Sequence, residues 1–134
     1  MKIHAELIAI ADYALLSEDK KLSVIGIFDK VLVQELPASH SKLSFVAVLK
    51  GEPHKESQLK IKAVSPSKTE LFSANANIKF GENGKTNLVS NLEGFPFPEV
   101  GSYSFIIELD GSLIAEYALD VIQLNPPGVK KLAS

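Results

Sequence analysis

Phe95-Pro96-Phe97-Pro98-Glu99-Val100-Gly101-Ser102-Tyr103-Ser104-Phe105-Ile106-Ile107-Glu108-Leu109-Asp110-Gly111 decides how the rest of this chain is read. Proline fixes φ and removes a donor, so the Phe-Pro-Phe-Pro run reads as a stiff corner. Gly101 and Tyr103 lead into a strand whose large apolar residues alternate, and Asp110-Gly111 is a pair that turns readily. Corner, alternating strand and tight turn, in that order, predict the closing hairpin of an antiparallel β-sandwich.

Two turns compete at the tip of that hairpin. A two-residue type I′ turn at Asp110-Gly111 sets 109 opposite 112 and pairs Phe105 with Glu116. A three-residue loop with Gly111 in a bulge sets 108 opposite 112. It pairs Ile107 with Leu113, Phe105 with Ala115 and Tyr103 with Tyr117 on one face. A slip of one residue inverts every side chain, so the apolar face favours the bulged loop. Tyr103 follows the corner as the tyrosine of immunoglobulin-like sandwiches does, where the phenol bonds nearby backbone; a core tyrosine without that bond is the alternative.

Working outward, residues 3–11 alternate imperfectly and read as a strand, with a helix as the competitor because Ala, Glu and Leu favour one. Residues 22–29 are β-branched and apolar on both faces, which predicts a central strand; Gly26 inside it marks a bulge or a close backbone approach. Residues 31–36 are extended up to Pro37, and Ala38-Ser39-His40-Ser41 reads as a loop. Residues 43–49 form a strand and 59–64 alternate apolar residues with Lys. Phe72, Ala74, Ala76, Ile78 and Phe80 share one face of the next strand. Gly81-Glu82-Asn83-Gly84 reads as a hairpin loop and 87–92 as a shorter strand. The sum is an all-β, Greek-key, immunoglobulin-like sandwich of eight or nine strands over residues 1–124, with a mobile tail at 125–134.

Composition narrows the function classes. A chain of 134 residues, 46% hydrophobic, is long enough to bury a core without staples. It has no cysteine, so it holds no disulfide or thiolate centre, which fits a reducing, cytoplasmic setting. His4, Glu6 and Asp12 break the N-terminal apolar run, leaving neither a secretory core nor a membrane span. All 14 basic residues are Lys, scattered among 16 acids for a net charge of −2, which argues against nucleic acid as a partner.

Several short motifs now stand in order: Ala11-Asp12-Tyr13-Ala14, Lys21-Leu22-Ser23-Val24-Ile25-Gly26 with Phe28-Asp29, Leu36-Pro37-Ala38, Gly101-Ser102-Tyr103 and Asp110-Gly111. This set resembles a family of small bacterial single-domain proteins of unknown function, whose members share an Asp-Tyr-Ala segment, a Lys-Leu-x-x-x-Gly strand and a closing Gly-x-Tyr…Asp-Gly hairpin. The resemblance implies a fold and brings no activity. Phe28 and a lone Gly26 stand where some relatives carry a Gly-Gly-Trp-type stretch.

Few residues of the chain are candidates for chemistry. His4, His40 and His54 lack ligand spacing, and His54 with Glu52 and Glu56 reads as a solvated turn, so no metal or cofactor is expected. Ser39-His40-Ser41 sets hydroxyls beside an imidazole, but neighbours on a loop do not make a triad. Gly81-Glu82-Asn83-Gly84-Lys85-Thr86 ends like a phosphate loop, yet its spacing is wrong and no helix follows. Asp12 and Asp29 each lie against apolar sequence, where a charge is costly unless partnered. They are either bonded to turn amides or lysines, or a general acid–base pair. Phe95 and Phe97 are either core plugs or a partner-binding knob. The leading expectation is a non-catalytic interaction or accessory module, self-associating through a sheet edge. A small-ligand or carbohydrate binder is the alternative, weakened by the absence of Trp. A hydrolase-like enzyme using Asp12 and Asp29 is third.

Overall fold

The computed structural model describes residues 2–124, and the tail expected at 125–134 lies outside the described residues. Nine strands run in chain order: β1 (His4–Leu16), β2 (Leu22–Ile27), β3 (Lys30–Val33), β4 (Ala38–Lys50), β5 (Glu56–Val64), β6 (Glu70–Lys79), β7 (Lys85–Phe97), β8 (Gly101–Leu109) and β9 (Ser112–Gln123). They form a four-stranded sheet ordered β2-β1-β4-β7 and a five-stranded sheet ordered β3-β9-β8-β5-β6. Among the described residues, three hairpins stay within a sheet: β1–β2, β5–β6 and β8–β9. Elsewhere the chain crosses between layers, so β4 pairs with β1 and β7 while β8 pairs with β5. This is the Greek-key interleaving of an immunoglobulin-like sandwich, in which the short β3 runs parallel to β9.

The core lies between the inner faces. Phe45 and Leu49 from the first sheet meet Leu59, Ile61, Phe105 and Ile107 from the second, all essentially solvent-free. A chain of rings runs through it, Phe45 to Phe105 to Phe95 to Phe97 to Tyr103, with centroids 5.2 to 5.6 Å apart. Such tilted and edge-on contacts suit the aromatic quadrupole. The β4–β5 and β6–β7 crossings are knitted together at one end: Gly51 N donates to Gly84 O at 2.7 Å and His54 N to Phe80 O at 3.0 Å.

Several expectations need correction. Residues 22–29 do not make a central strand; β2 is an edge, and Ile25 and Ile27 are 61% and 58% exposed. Apolar residues on both faces arise here because one face packs inward and the other is left bare. Residues 38–41 are not a loop but the start of β4, paired with the end of β7 from Ala38↔Phe97 to His40↔Phe95. Residues 81–84 do not close a hairpin, because β6 and β7 belong to opposite sheets. The short strand expected at 87–92 continues to Phe97 through Gly94, whose φ of +61° flips the pleat. Leu92 therefore faces the core on one side of Gly94, and Phe95 and Phe97 do so on the other.

The closing hairpin is corrected as well. Asp110 and Gly111 have φ of 50° and 81°, the left-handed pair of a two-residue turn, and Leu109 faces Ser112. The extra residue enters beyond the turn, between Ile107 and Glu108, so Ile107 meets Ala115, Phe105 meets Tyr117 and Tyr103 meets Leu119. Two residues separate this register from the expected one, which preserves the apolar face: Phe105 does not oppose Glu116. Leu113, expected in the core, is 60% exposed, and Ile114 packs inward in its place.

Candidate functional site

β1 is long because its halves serve two partners. Residues 4–11 pair with β4, and 11–16 pair with β2. The hairpin tip lies over the outer face of the four-stranded sheet, where Ala14 and Val24 pack with Ala9, Val46 and Val89 in a second small core. Asn87 Nδ2 donates to Lys20 O at 3.4 Å, and Lys42 Nζ stands 5.1 Å from the Tyr13 ring centroid, a cation–π contact on the same face.

At the root of this hairpin the chain passes between sheets. Phe28 N donates to Ile10 O at 3.0 Å, the last bond of the β2 ladder. Asp120 N donates to Asp29 O at 2.9 Å, the first of β3. Tyr117 Oη donates to Phe28 O at 2.8 Å across the same step. Burial pushes the Tyr117 phenol up, and the nearby Asp29 carboxylate adds to that.

Beside the crossing is an open groove of about 440 Å³ that brings Asp12 together with Ser39, His40 and Lys30. His40 is half-buried and wedged between Phe28 and Phe97, with ring centroids 5.6 and 6.4 Å away. Asp12 lies against Gly26, whose added Cβ would stand 2.5 Å from Asp12 Oδ2 at a φ of +73°; the expected close approach at Gly26 is real. Asp29 is not among the groove residues. Both aspartates are exposed, so the burial that made them candidates for an acid–base pair is absent. Ala11, beside Asp12 in β1, is fully buried and points the other way, as strand alternation requires, whereas Asp29 lies in the bend between β2 and β3.

Phe95 and Phe97 are 3% and 0% exposed, which removes them as a partner-binding knob. They are the core plugs of the alternative reading. The tyrosine corner is formed: Tyr103 Oη donates to Glu99 O at 2.6 Å and accepts from Glu99 N at 3.1 Å. Burial raises this phenol above its usual value of 10.0. Among the described residues, no three His, Cys, Asp or Glu side chains gather so as to hold a metal ion. No helix of the described residues is long and apolar enough to cross a membrane.

The surface feature that sequence reasoning missed is the bare edge of β2. The four edges differ. β3 opens on Lys30, β6 presents Ser73, Asn75, Asn77 and Lys79, and β7 carries Gly94 and Pro96. Each is a device that blunts pairing. β2 carries Ile25 and Ile27 exposed, next to Tyr13 and Leu15 of β1 at 41% and 48%. Tyr13 pairs directly with Ile25 across the hairpin.

A family of unknown function, DUF6941, matches the chain over residues 6–122. No curated protein matches it. Among solved structures, an immunoglobulin-like protein from Pseudomonas aeruginosa is 17% identical with a TM-score of 0.49, covering 90% of this chain and 97% of that one. A β-glucosidase from Listeria innocua aligns over 92% of this chain at 8% identity and a TM-score of 0.50. The match takes in only 16% of that enzyme, so the likeness is one of fold.

Proposed function

This chain belongs to the DUF6941 family of unknown function, matched over residues 6–122, and we propose that it is a non-catalytic protein-interaction module that pairs through the free edge of β2. The observation that carries this reading is the exposure of Ile25 and Ile27 on the one edge, among the described residues, that carries neither charge nor proline. An unpaired strand edge offers a row of backbone donors and acceptors, and the partner it fits is an extended segment with apolar residues at every second position. β2 is itself such a segment, so the occupant is a second copy, added antiparallel about a two-fold axis as closed symmetric dimers require. Gly26, with its left-handed φ of 73°, confines the pairable run to residues 22–25. A contact this short is weak and regulated by concentration. The absence of cysteine accords with a reducing, cytoplasmic setting.

Light scattering behind size exclusion tests the reading, at loads from about 10 μM to about 1 mM, the span in which a small interface populates. The expected result is a concentration-dependent dimer that Ile25→Lys abolishes without changing the fold. A monomer throughout that range, or a dimer indifferent to Ile25→Lys, overturns it.

A further inference from the structure

We propose that the groove between the tip of the β1–β2 hairpin and the β6–β7 crossing binds a phosphate-bearing small molecule. Its volume, about 510 Å³, falls within the range of small-molecule sites. Lys20 from the hairpin turn, Lys79 from the end of β6 and Lys85 from the start of β7 converge there with Asn83, Thr86 and Asn87. Leu16 and Val48 supply the apolar part. Among the described residues, none of those lining it is acidic, in a chain whose net charge is −2. Three cations from three elements, with amide and hydroxyl groups between them, form a donor set suited to an oxyanion bearing more than one charge.

The surroundings are built to keep those charges in place. The hairpin tip is tied down where Asn87 donates to Lys20 O at 3.4 Å, and Lys50 Nζ donates to Asn83 O at 3.2 Å, adding a fourth cation beside the groove. Lys85 is paired with the Glu6 carboxylate at 2.9 Å, so Glu6 competes with a bound anion for that one cation, while Lys20 and Lys79 have no such pairing among the described residues. Hydrogen bonding to Lys85 lowers the Glu6 pKa accordingly.

The phosphate-loop likeness of residues 81–86 thus returns on different physics. Three amides of the loop are occupied: Gly84 N donates to Gly81 O, Gly81 N to Lys85 O, and Lys85 N to Asn83 Oδ1. A strand, β7, and not a helix follows the loop, so the lysine side chains carry the charge as point charges.

The test is an amide NMR titration of the full chain with fructose 1,6-bisphosphate, with fructose as the uncharged control. The bisphosphate should shift Gly81, Asn83, Gly84 and Asn87 saturably, and fructose should not. Lys20→Asn, which tolerates the left-handed φ of 69° at that position, and Lys79→Gln should each weaken binding about three- to tenfold. Glu6→Gln, by freeing Lys85, should tighten it about two- to threefold. Lys30→Gln, outside the groove, should leave it unchanged, and added salt should weaken it. No saturable shift at about 20 mM, a millimolar-scale ceiling for a specific site, overturns the proposal. So does binding indifferent to both Lys20→Asn and Lys79→Gln. A single-stranded oligonucleotide that saturates the same amides at lower concentration than the bisphosphate overturns the small-molecule assignment.

Discussion

Gly94 and Gly101 separate two reasons for a glycine. At Gly94, φ is +61° and an added Cβ would meet nothing within 4 Å, so a side chain there costs only backbone strain. At Gly101, φ is +127° and the Cβ would stand 2.8 Å from Pro66 Cγ, so strain and a collision combine. Gly94→Ala should therefore cost about 1–2 kcal/mol, the ordinary left-handed penalty. Gly101→Ala should cost distinctly more, because Pro66 is a rigid ring and cannot swing aside. Denaturant unfolding of the two variants measures the difference, and equal losses would contradict it. Gly94 also explains why Phe95 and Phe97 were ambiguous in sequence. Strict period-2 counting through Glu93 and Gly94 puts Leu92 and Phe95 on opposite faces, whereas the flipped pleat puts both in the core.

At the scale of elements, the β1–β2 hairpin matters most, because it covers a sheet face that would otherwise be wet. Val46 lies on that outer face, between the core residues Phe45 and Ala47, and is nonetheless fully buried. Val46→Ala removes two methyl groups from a closed contact and should cost about 2 kcal/mol. A loss below about 0.5 kcal/mol, typical of an exposed site, would show that the hairpin does not pack there. What was legible at this scale was whatever depends on local alternation. β5, β6 and β8 could be read because Leu59-Ile61-Ala63, Phe72-Ala74-Ala76-Ile78 and Tyr103-Phe105-Ile107 each point one way. Pairing across the chain was not legible. Nothing local in Leu22–Ile27 distinguishes an edge from a centre, since that depends on whether another strand arrives beside it. Nor does the Gly81–Gly84 loop reveal that the strands it joins belong to different sheets. The two grooves were hidden for the same reason: Asp12 reaches Ser39 and His40, and Lys20 reaches Lys79 and Lys85, only through non-local pairing.

The whole molecule is held at two of its inter-sheet crossings by phenols. Tyr117 of β9 bonds Phe28 O where the chain passes from β2 to β3, and Tyr103 of β8 bonds Glu99 where it passes from β7 to β8. Both phenols titrate above the usual value of 10.0, chiefly because burial disfavours the phenolate. The sign of the pH effect follows. Below about pH 10, folded and unfolded chains both keep these protons, and the stabilisation is fully present. Above that, the unfolded chain releases them first and binds fewer protons than the folded one, so stability falls as pH rises towards the raised folded values. A melt on the native sequence alone does not isolate the phenols. Tyr103→Phe with Tyr117→Phe does. That double variant should be less stable at neutral pH, having lost the bonds to Glu99 and Phe28, and its melting temperature should fall less steeply with alkali. With the exposed Tyr13 replaced by Phe, the chain should also show phenolate absorbance rising in step with unfolding. An unchanged slope in the double variant would mean that the crossings are held by packing alone.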